Sequence, residues 1–568
     1  MTLELQLTSQ EVSQTLKGQP RLTRTLLPWL EITLSPSASD EVKAGEFIVQ
    51  LARALLNEHG GVITTATCQP SGANLNLTLG YHQPKVSAQA LACALGIALN
   101  AENLSAQQIA QQVEALWKEA HPFTPDPIAH LLITEAQKAG LPVRPYHWPT
   151  RQWLFGWGAR SETFFEAAPR SDSHAGRNLS SDKQLSKLLA TACGFKVLPS
   201  YRVANVNDLE KAASTVGFPC VVKPIQGKQG KGVTTNISSL AELREAWRLA
   251  QQLRPVDVLV ERYAEGEVYR LMVIRGEFFC SIIRPRPSVL ADGQSTLLQL
   301  AQKRNQPLVA KSRPSSFSKP TPLDQLFVDC LRRQGFKPDS IPEAGRKIYL
   351  RDAPLVGHGA TDIADVTEQT HPNIKAAAVD LSNMLGIDCS GIDLISTDIS
   401  QETSSYFLEI NGTPGVRLMT EAGMPAQEVA LKILGPKPAR IPTLLVVAPT
   451  TNQEGLLQAL QQKPGLGWSL GGKVGIGARH LATEQTLAHD HIELLVRNPS
   501  IKALASVLEP ETLIALGLPL DHWDRILLTP QANLPSDITQ WLQQQGDVLE
   551  MSADLPKLTA AIRDLKTD

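Results

Sequence analysis

An apolar run that stops at a lysine, VVKPIQGKQGKGV at 221–233, raises the first chemical question in this chain. Lys223 closes the run, and Gly227, Gly230 and Gly232 are interleaved with Lys228 and Lys231. Glycine lets backbone amides approach a ligand closely and the lysines add positive charge, so the segment can cradle a polyphosphate. It is not a GxxxxGK[ST] loop, because no Lys-Ser/Thr pair closes it. A nucleotide site also needs hard oxygen ligands for Mg2+, and these come farther along. CSGIDLIS at 389–396 carries Asp393, and FLEINGTPGVR at 407–417 carries Glu409 and Asn411. Strand residues two apart share a face, so Glu409 and Asn411 point the same way. With Asp393 on an adjacent strand they make an oxygen seat for one or two Mg2+ ions. Acids on strands usually face solvent, but Ile392, Leu394, Leu408 and Ile410 mark these strands as buried.

The elements that must position these groups alternate along the centre of the chain. SDKQLSKLLATACGF reads as a capped helix, with apolar residues at helical spacing. VNDLEKAASTVGF is a second helix, running into the strand FPCVVKP, and SLAELREAWRLAQQL a third, followed by the strand VDVLVERY. Residues 306–322, rich in Pro, Ser and Lys, read as a mobile lid or insertion. Before them, residues 1–165 alternate short β-like runs (GVITTAT, ANLNLTLGYH) with helical ones such as VSAQALACALGIALNA, an α/β domain without a catalytic motif. FIVQLARALL is ambiguous between strand and helix. The cluster WPTRQWLFGWG at 148–158 reads as a packed junction, since too few basic residues surround it to track a phosphate backbone. The linker GPKPARIP at 435–442 sets off residues 441–568, again α/β in pattern. The whole is α/β multidomain, with boundaries at 1–165, 166–437 and 441–568.

Composition agrees and excludes other classes. The 568 residues exceed what one core serves and imply roughly three or four domains. A hydrophobic fraction of 42% and a charged fraction of 19% describe a folded, soluble chain. The net charge of −2 gives no bulk pull toward nucleic acid or membrane. MTLELQLTSQ lacks the basic start and apolar run of a signal peptide, and no apolar stretch approaches the ~20 residues that span a bilayer. Seven scattered cysteines without a CxxC pair read as reduced thiols, so the expected compartment is the cytoplasm.

The motifs also agree in order with a known pattern: DK at 182–183, VVKP at 221–224, a basic glycine-rich loop, VERY at 260–263, GID at 391–393 and EIN at 409–411. This order resembles the ATP-grasp superfamily of carboxylate–amine ligases. SHAGRNLSSDK (173–183), ADGQSTL (291–297), IPEAGRKIYLR (341–351) and the stretch from HPNI to EINGTPGVR are similar to the cyanophycin synthetase family in particular. The resemblance implies a central ATP-grasp domain at 166–437 with a lid or insertion near 285–345. It implies that Lys183, Lys223 and the loop residues Gly227, Gly230, Lys231 and Gly232 contact ATP phosphates. Glu261 and Tyr263 would line the adenine hinge, and Asp393, Glu409 and Asn411 would bind Mg2+. Arg351 would act with Lys223 beside the reacting phosphates, and Ser173, His174 and Arg417 would handle a peptide substrate.

The chain departs from that pattern in three places. The family carries a Mur-ligase-like C-terminal domain with a GTNGKT-type phosphate loop; here the stretch is VVAPTTNQEG, 446–455, with Pro449 before the threonines and no lysine. GGKVGIGARH and RNPSIKALASVLEPETL still resemble that domain, so 441–568 reads as a shortened remnant that packs or dimerises without holding a second ATP. RDAPLVGHGA stands at 351–360 where the family has roughly RSTANLSTGG, and Val268 replaces an acid, with Glu267 one position early. The reading that follows is an ATP- and Mg2+-dependent ligase, expected as a homodimer, that joins β-Asp-Arg dipeptides into a cyanophycin-like polymer through an acyl-phosphate. Two other readings stand beside it: an ATP-grasp ligase for another amino acid or dipeptide, and an inactive pseudo-synthetase that binds polymer or an active partner.

Overall fold

A computed structural model describes residues 2–8, 39–71, 74–100, 103–147, 150–225, 232–253, 257–310, 319–352, 363–449, 453–550 and 554–567. The chain divides into two compact units, Met1–Leu132 with Phe165–Ile433, and Ile133–Phe164 with Leu434–Asp568.

In the first unit, β1 (Thr2–Thr8) pairs with β3 (Asn74–Gly80), which also pairs with β2 (Ala66–Ser71), all antiparallel. Helices α1 (Asp40–Glu58), α2 (Pro84–Asn100) and α3 (Ala106–Ala120) share its core, in which Ile48, Leu51, Leu77 and Ile109 are fully buried. The ambiguous FIVQLARALL is the middle of α1. Its apolar residues recur at both periods, and the cap settles the matter: Ser39 accepts from the Val42 amide at 3.4 Å.

Next come α4 (His174–Ser181) and α5 (Lys183–Ala192). A four-stranded sheet follows, built from β4 (Ser200–Val203), β5 (Cys220–Pro224), β6 (Thr234–Ile237) and β7 (Val258–Arg262) in the order β6-β5-β7-β4, with α6 (Leu209–Val216) and α7 (Leu240–Leu253) against one face. Then β8 (Glu267–Ile274) and β9 (Glu277–Arg284) open a five-stranded sheet. Between them and its remaining strands lies a small subdomain in which β10 (Ser288–Leu290) pairs with β11 (Lys347–Tyr349), packed on α8 (Leu297–Ala310) and α9 (Gln325–Arg333). Part of the expected lid, 311–318, lies outside the described residues. The sheet is completed by β12 (Ala364–Asp365), β13 (Cys389–Ser396) and β14 (Ser405–Asn411), in the order β12-β9-β8-β13-β14, backed by α10 (Pro372–Leu385).

The second unit holds the antiparallel strands Val143–His147 and Gln152–Phe155 and, from Leu434 on, a parallel sheet with an antiparallel edge. β15 (Thr443–Val447) lies at its centre, followed in sequence by α11 (Gln453–Gln461), β16 (Leu466–Leu470), β17 (Lys473–Ile476), β18 (Arg479–His480), β19 (Ala503–Leu508), β20 (Trp523–Leu528), β21 (Gly546–Glu550) and α12 (Leu555–Asp564). The order is β18-β17-β16-β19-β15-β20-β21, and β16, β19, β15, β20 and β21 run parallel. The apolar runs LLVVA and RILLT fall in β15 and β20, and their apolar residues are buried in the two cores of this unit.

The aromatic cluster belongs to this unit. Trp157 is 1% exposed in one core with Ile441, Leu445 and Trp523. The grouping cuts across the expected 1–165 domain: Ile133–Phe164 falls with Leu434–Asp568, and Trp157 shares a core with residues from later in the chain. The seven cysteines are free thiols. No described helix is long and apolar enough to cross a membrane.

Candidate functional site

Alternation along the strands builds the site. In β5, Cys220 and Val222 turn into the helical layer, while Val221 and Lys223 turn the other way into a cavity. In β7, Val258 and Val260 join the same core and Glu261 faces the cavity. On the five-stranded sheet, Ile392 and Leu394 are core, and Asp393 and Ile395 face the cavity. In β14 the ladder to β13 slips after Asp393, which pairs with Glu409 while Leu394 pairs with Phe407. This bulge brings the consecutive residues Leu408 and Glu409 both onto the cavity.

The cavity, about 240 Å³, is lined by residues of both the four-stranded and the five-stranded sheet. Apolar walls come from Leu198, Val221, Val233, Val268, Ile395 and Leu408, and charge from Lys183, Lys223, Glu261, Asp393 and Glu409. A flat apolar group with a charged tail suits that division.

The charged groups are closely paired. Lys223 Nζ donates to Glu261 Oε2 at 2.5 Å. The other Glu261 oxygen ion-pairs with Lys187, one turn after Lys183 on α5. Lys183 Nζ is 3.6 Å from Glu409 Oε2 and 3.5 Å from the Ile225 carbonyl. Burial, with the Lys187 and Lys183 ammoniums close by, pulls Lys223 well below the usual lysine range, although Glu409 opposes this. Burial likewise brings Lys187 down to about 8.

Asp393 and Glu409 are register partners, and Asn411 Nδ2 lies 3.4 Å from Glu409 Oε1, so these two share a face as strand spacing requires. Asp393 is held from below by two arginines. Arg270 Nε and Nη2 meet its oxygens at 2.5 and 3.0 Å, and Arg284 Nη1 stands at 3.4 Å. Burial would raise the Asp393 carboxyl, but the guanidinium charges of Arg270 and Arg284 outweigh it and hold the group below the usual carboxylate range. The glycine of the GID motif has a steric reason. A Cβ on Gly391 would come within 2.7 Å of Pro414 Cβ and 2.8 Å of Arg270 Nη1. It leaves the room through which Arg270 reaches Asp393.

Two carboxylates and a side-chain amide, all hard oxygen donors, fit a Mg2+ ion whose remaining positions are filled by phosphate or water. Asp393 Oδ2 keeps a lone pair beyond its bond to Arg270, and Glu409 Oε2 keeps one beyond Lys183, whereas Asp393 Oδ1 meets both arginines. Among the described residues no three Asp, Glu, His or Cys side chains converge, so the set depends on Asn411 and on the ligand.

Other expected residues sit elsewhere. Tyr263 lines the cavity beside Glu261, and Gly232, which precedes the cavity-lining Val233, has a φ of 76°. Gly227, Gly230 and Lys231 lie outside the described residues. Arg351, 4% exposed, pairs with Asp324 at 2.8 Å and the Pro322 carbonyl at 2.6 Å, so it ties α9 to the end of β11. Ser173 caps α4 through the Gly176 amide at 3.0 Å, and His174 Nε2 lies 3.2 Å from Asn178 Nδ2. Arg417 heads the short helix Arg417–Glu421, and its charge reaches His130. Val268 faces the cavity, whereas Glu267 accepts from the Arg286 amide at 3.3 Å.

Sequence reasoning missed Lys187, Arg270 and Arg284. The one signal for Lys187 was its four-residue spacing from Lys183.

Residues 182–270, which supply most of the cavity wall, match the family model described as carbamoyl-phosphate synthase L chain, ATP binding domain. The fold is thus mixed α/β and multidomain, with a stretch similar to an ATP-binding domain at its centre. More particularly, the chain is similar over part of its length to cyanophycin synthetases. It is 28% identical to cyanophycin synthetase of Trichormus variabilis over 337 residues, 58% of this chain and 36% of that protein. It is 30% identical to that of Geminocystis herdmanii over 302 residues, 51% of this chain and 34% of that protein. The chain therefore spans about a third of the length of these curated relatives. A bifunctional glutathione synthetase from Pasteurella multocida superposes with a TM-score of 0.39 at 21% identity, over 62% of this chain and 52% of that one.

Proposed function

We propose that this chain is an ATP-dependent carboxylate–amine ligase that extends a cyanophycin-like polymer by joining β-Asp-Arg dipeptides. The observation that carries the reading is the divided cavity, with apolar walls at 198–268 and 395–408 and with Lys183 and Lys223 opposite Asp393 and Glu409. The match of 182–270 to an ATP-binding domain agrees with it, and the similarity to cyanophycin synthetases supports the polymer.

In this reading the apolar walls take adenine, and Lys183 and Lys223 hold the phosphates. Asp393, Glu409 and Asn411 would hold Mg2+, which neutralises charge on the transferred phosphoryl group. A terminal carboxylate oxygen of the polymer attacks the γ-phosphorus, and the bond to the β–γ bridging oxygen breaks to release ADP. The dipeptide amine then attacks the acyl carbon. The C–O bond to phosphate breaks, phosphate leaves, and the nitrogen loses its proton as the amide forms. Neither step needs a side-chain nucleophile; stabilisation of charge does the work. The charges of Arg270 and Arg284 favour the ionised form of Asp393.

In the same reading residues 441–568 are a shortened Mur-ligase-like domain. Residues 450–452, within VVAPTTNQEG, lie outside the described residues.

The test is ADP release by the full chain with Mg2+ and ATP, with and without β-Asp-Arg and a polymer primer. Release that requires both supports the reading; release that ignores the dipeptide contradicts it.

A further inference from the structure

Lys187 takes no part in the steps above. A lysine one turn along a helix from Lys183 would ordinarily point to water, yet it is 5% exposed. A buried ammonium persists only with good partners. Its Nζ ion-pairs with Glu261 Oε1 and donates to the Leu198 carbonyl at 3.2 Å, while Lys223 holds Glu261 Oε2. Lys187, Lys223 and Glu261 thus sum two positive charges against one negative, a net +1. Lys183 on the same helix and Glu409 from β14 are the other charges about Lys223.

We propose that Lys187 is a positioning residue of the nucleotide site: it occupies one oxygen of Glu261 and fixes that carboxylate, so that Lys223 meets it through the other oxygen alone and can turn to an anionic ligand in the cavity. This rests on the nucleotide reading given above. Without Lys187, Lys223 and Glu261 cancel and the net charge falls to zero. Glu261→Gln removes the negative charge instead. In that background Lys187 has no carboxylate to occupy, so its loss no longer changes how Lys223 is paired. The effect of Lys187 therefore depends on Glu261, which a purely packing role would not.

The test is calorimetric titration of the full chain with a non-hydrolysable ATP analogue and Mg2+. It compares the natural protein, Lys187→Met, Lys187→Arg, Glu261→Gln and the double variant Lys187→Met with Glu261→Gln. Lys187→Met should weaken binding about tenfold, the scale of one charge-assisted contact. Lys187→Arg should restore it to within about threefold. In the Glu261→Gln background, Lys187→Met should cost less than about threefold, as expected for coupled sites. Unchanged affinity in Lys187→Met, or an equal loss in both backgrounds, overturns the role of Lys187 and leaves the nucleotide reading standing. Failure of the natural protein to bind the analogue overturns both. If Lys187→Met melts as an unfolded chain, Lys187→Gln replaces it, and affinity equal to the natural protein again overturns the proposal.

Discussion

Glu409 reaches the cavity because a bulge turns Leu408 and Glu409 to the same side, and Lys183 and Asn411 approach its carboxylate. Glu409→Gln keeps the shape and removes one charge. It should lower ATP-dependent turnover by about 100-fold or more, the scale seen when one electrostatic group is removed from a reacting centre, with circular dichroism unchanged. Turnover near that of the natural protein would refute the metal role. Lys183, Lys223, Asp393, Glu409 and Asn411 were legible because each stands in a short motif whose neighbours announce a strand or a capped helix. The arginines on Asp393 were not. Arg270 is 123 positions from its partner, and nothing local distinguishes it from a solvated basic residue. Arg351 was placed by motif order, but pairing with Asp324 directs it into the small subdomain.

The elements were read well where periodicity and caps agree. Asp182 caps α5, accepting from the Gln184 and Leu185 amides at 2.9 and 3.1 Å, and so fixes the turn from which Lys183 and Lys187 project. The four strands β5, β7, β13 and β14 stand where FPCVVKP, VDVLVERY, CSGIDLIS and FLEIN suggested. The bulge in β14 was invisible, since slippage belongs to the pairing of two strands and not to either sequence. A pH-dependent element lies in the N-terminal sheet. His82, just past β3, accepts the Val62 amide through Nε2 at 3.2 Å, and burial, helped by the nearby charge of His130, lowers its pKa to about 4. The folded state therefore favours the neutral ring. Its contribution is complete above the unfolded value of 6.5 and is lost as pH falls from there toward 4. Urea midpoints should fall between pH 7 and pH 5 in the natural protein and fall less in His82→Gln. Equal falls would assign the acid sensitivity to other groups.

At the scale of the whole molecule, sequence order and spatial grouping part company. Composition shifts and linkers suggested three consecutive domains, but Ile133–Phe164 packs with Leu434–Asp568 as one unit. Linear sequence cannot show this, because the partners of Trp157, Ile441 and Leu445 among them, come almost 300 positions later. Deleting 441–568 should strip Trp157 of its core. The truncated chain should show red-shifted tryptophan emission and a lower soluble yield; a soluble fragment with unshifted emission would contradict the grouping. The central claim concerns chemistry at the cavity, and mass spectrometry of the products tests it most directly. Incubation with ATP, Mg2+, a short primer and β-Asp-Arg should give a ladder of masses spaced by one dipeptide residue, with one ADP formed per step. A primer mass left unchanged while ATP and dipeptide remain intact would contradict it.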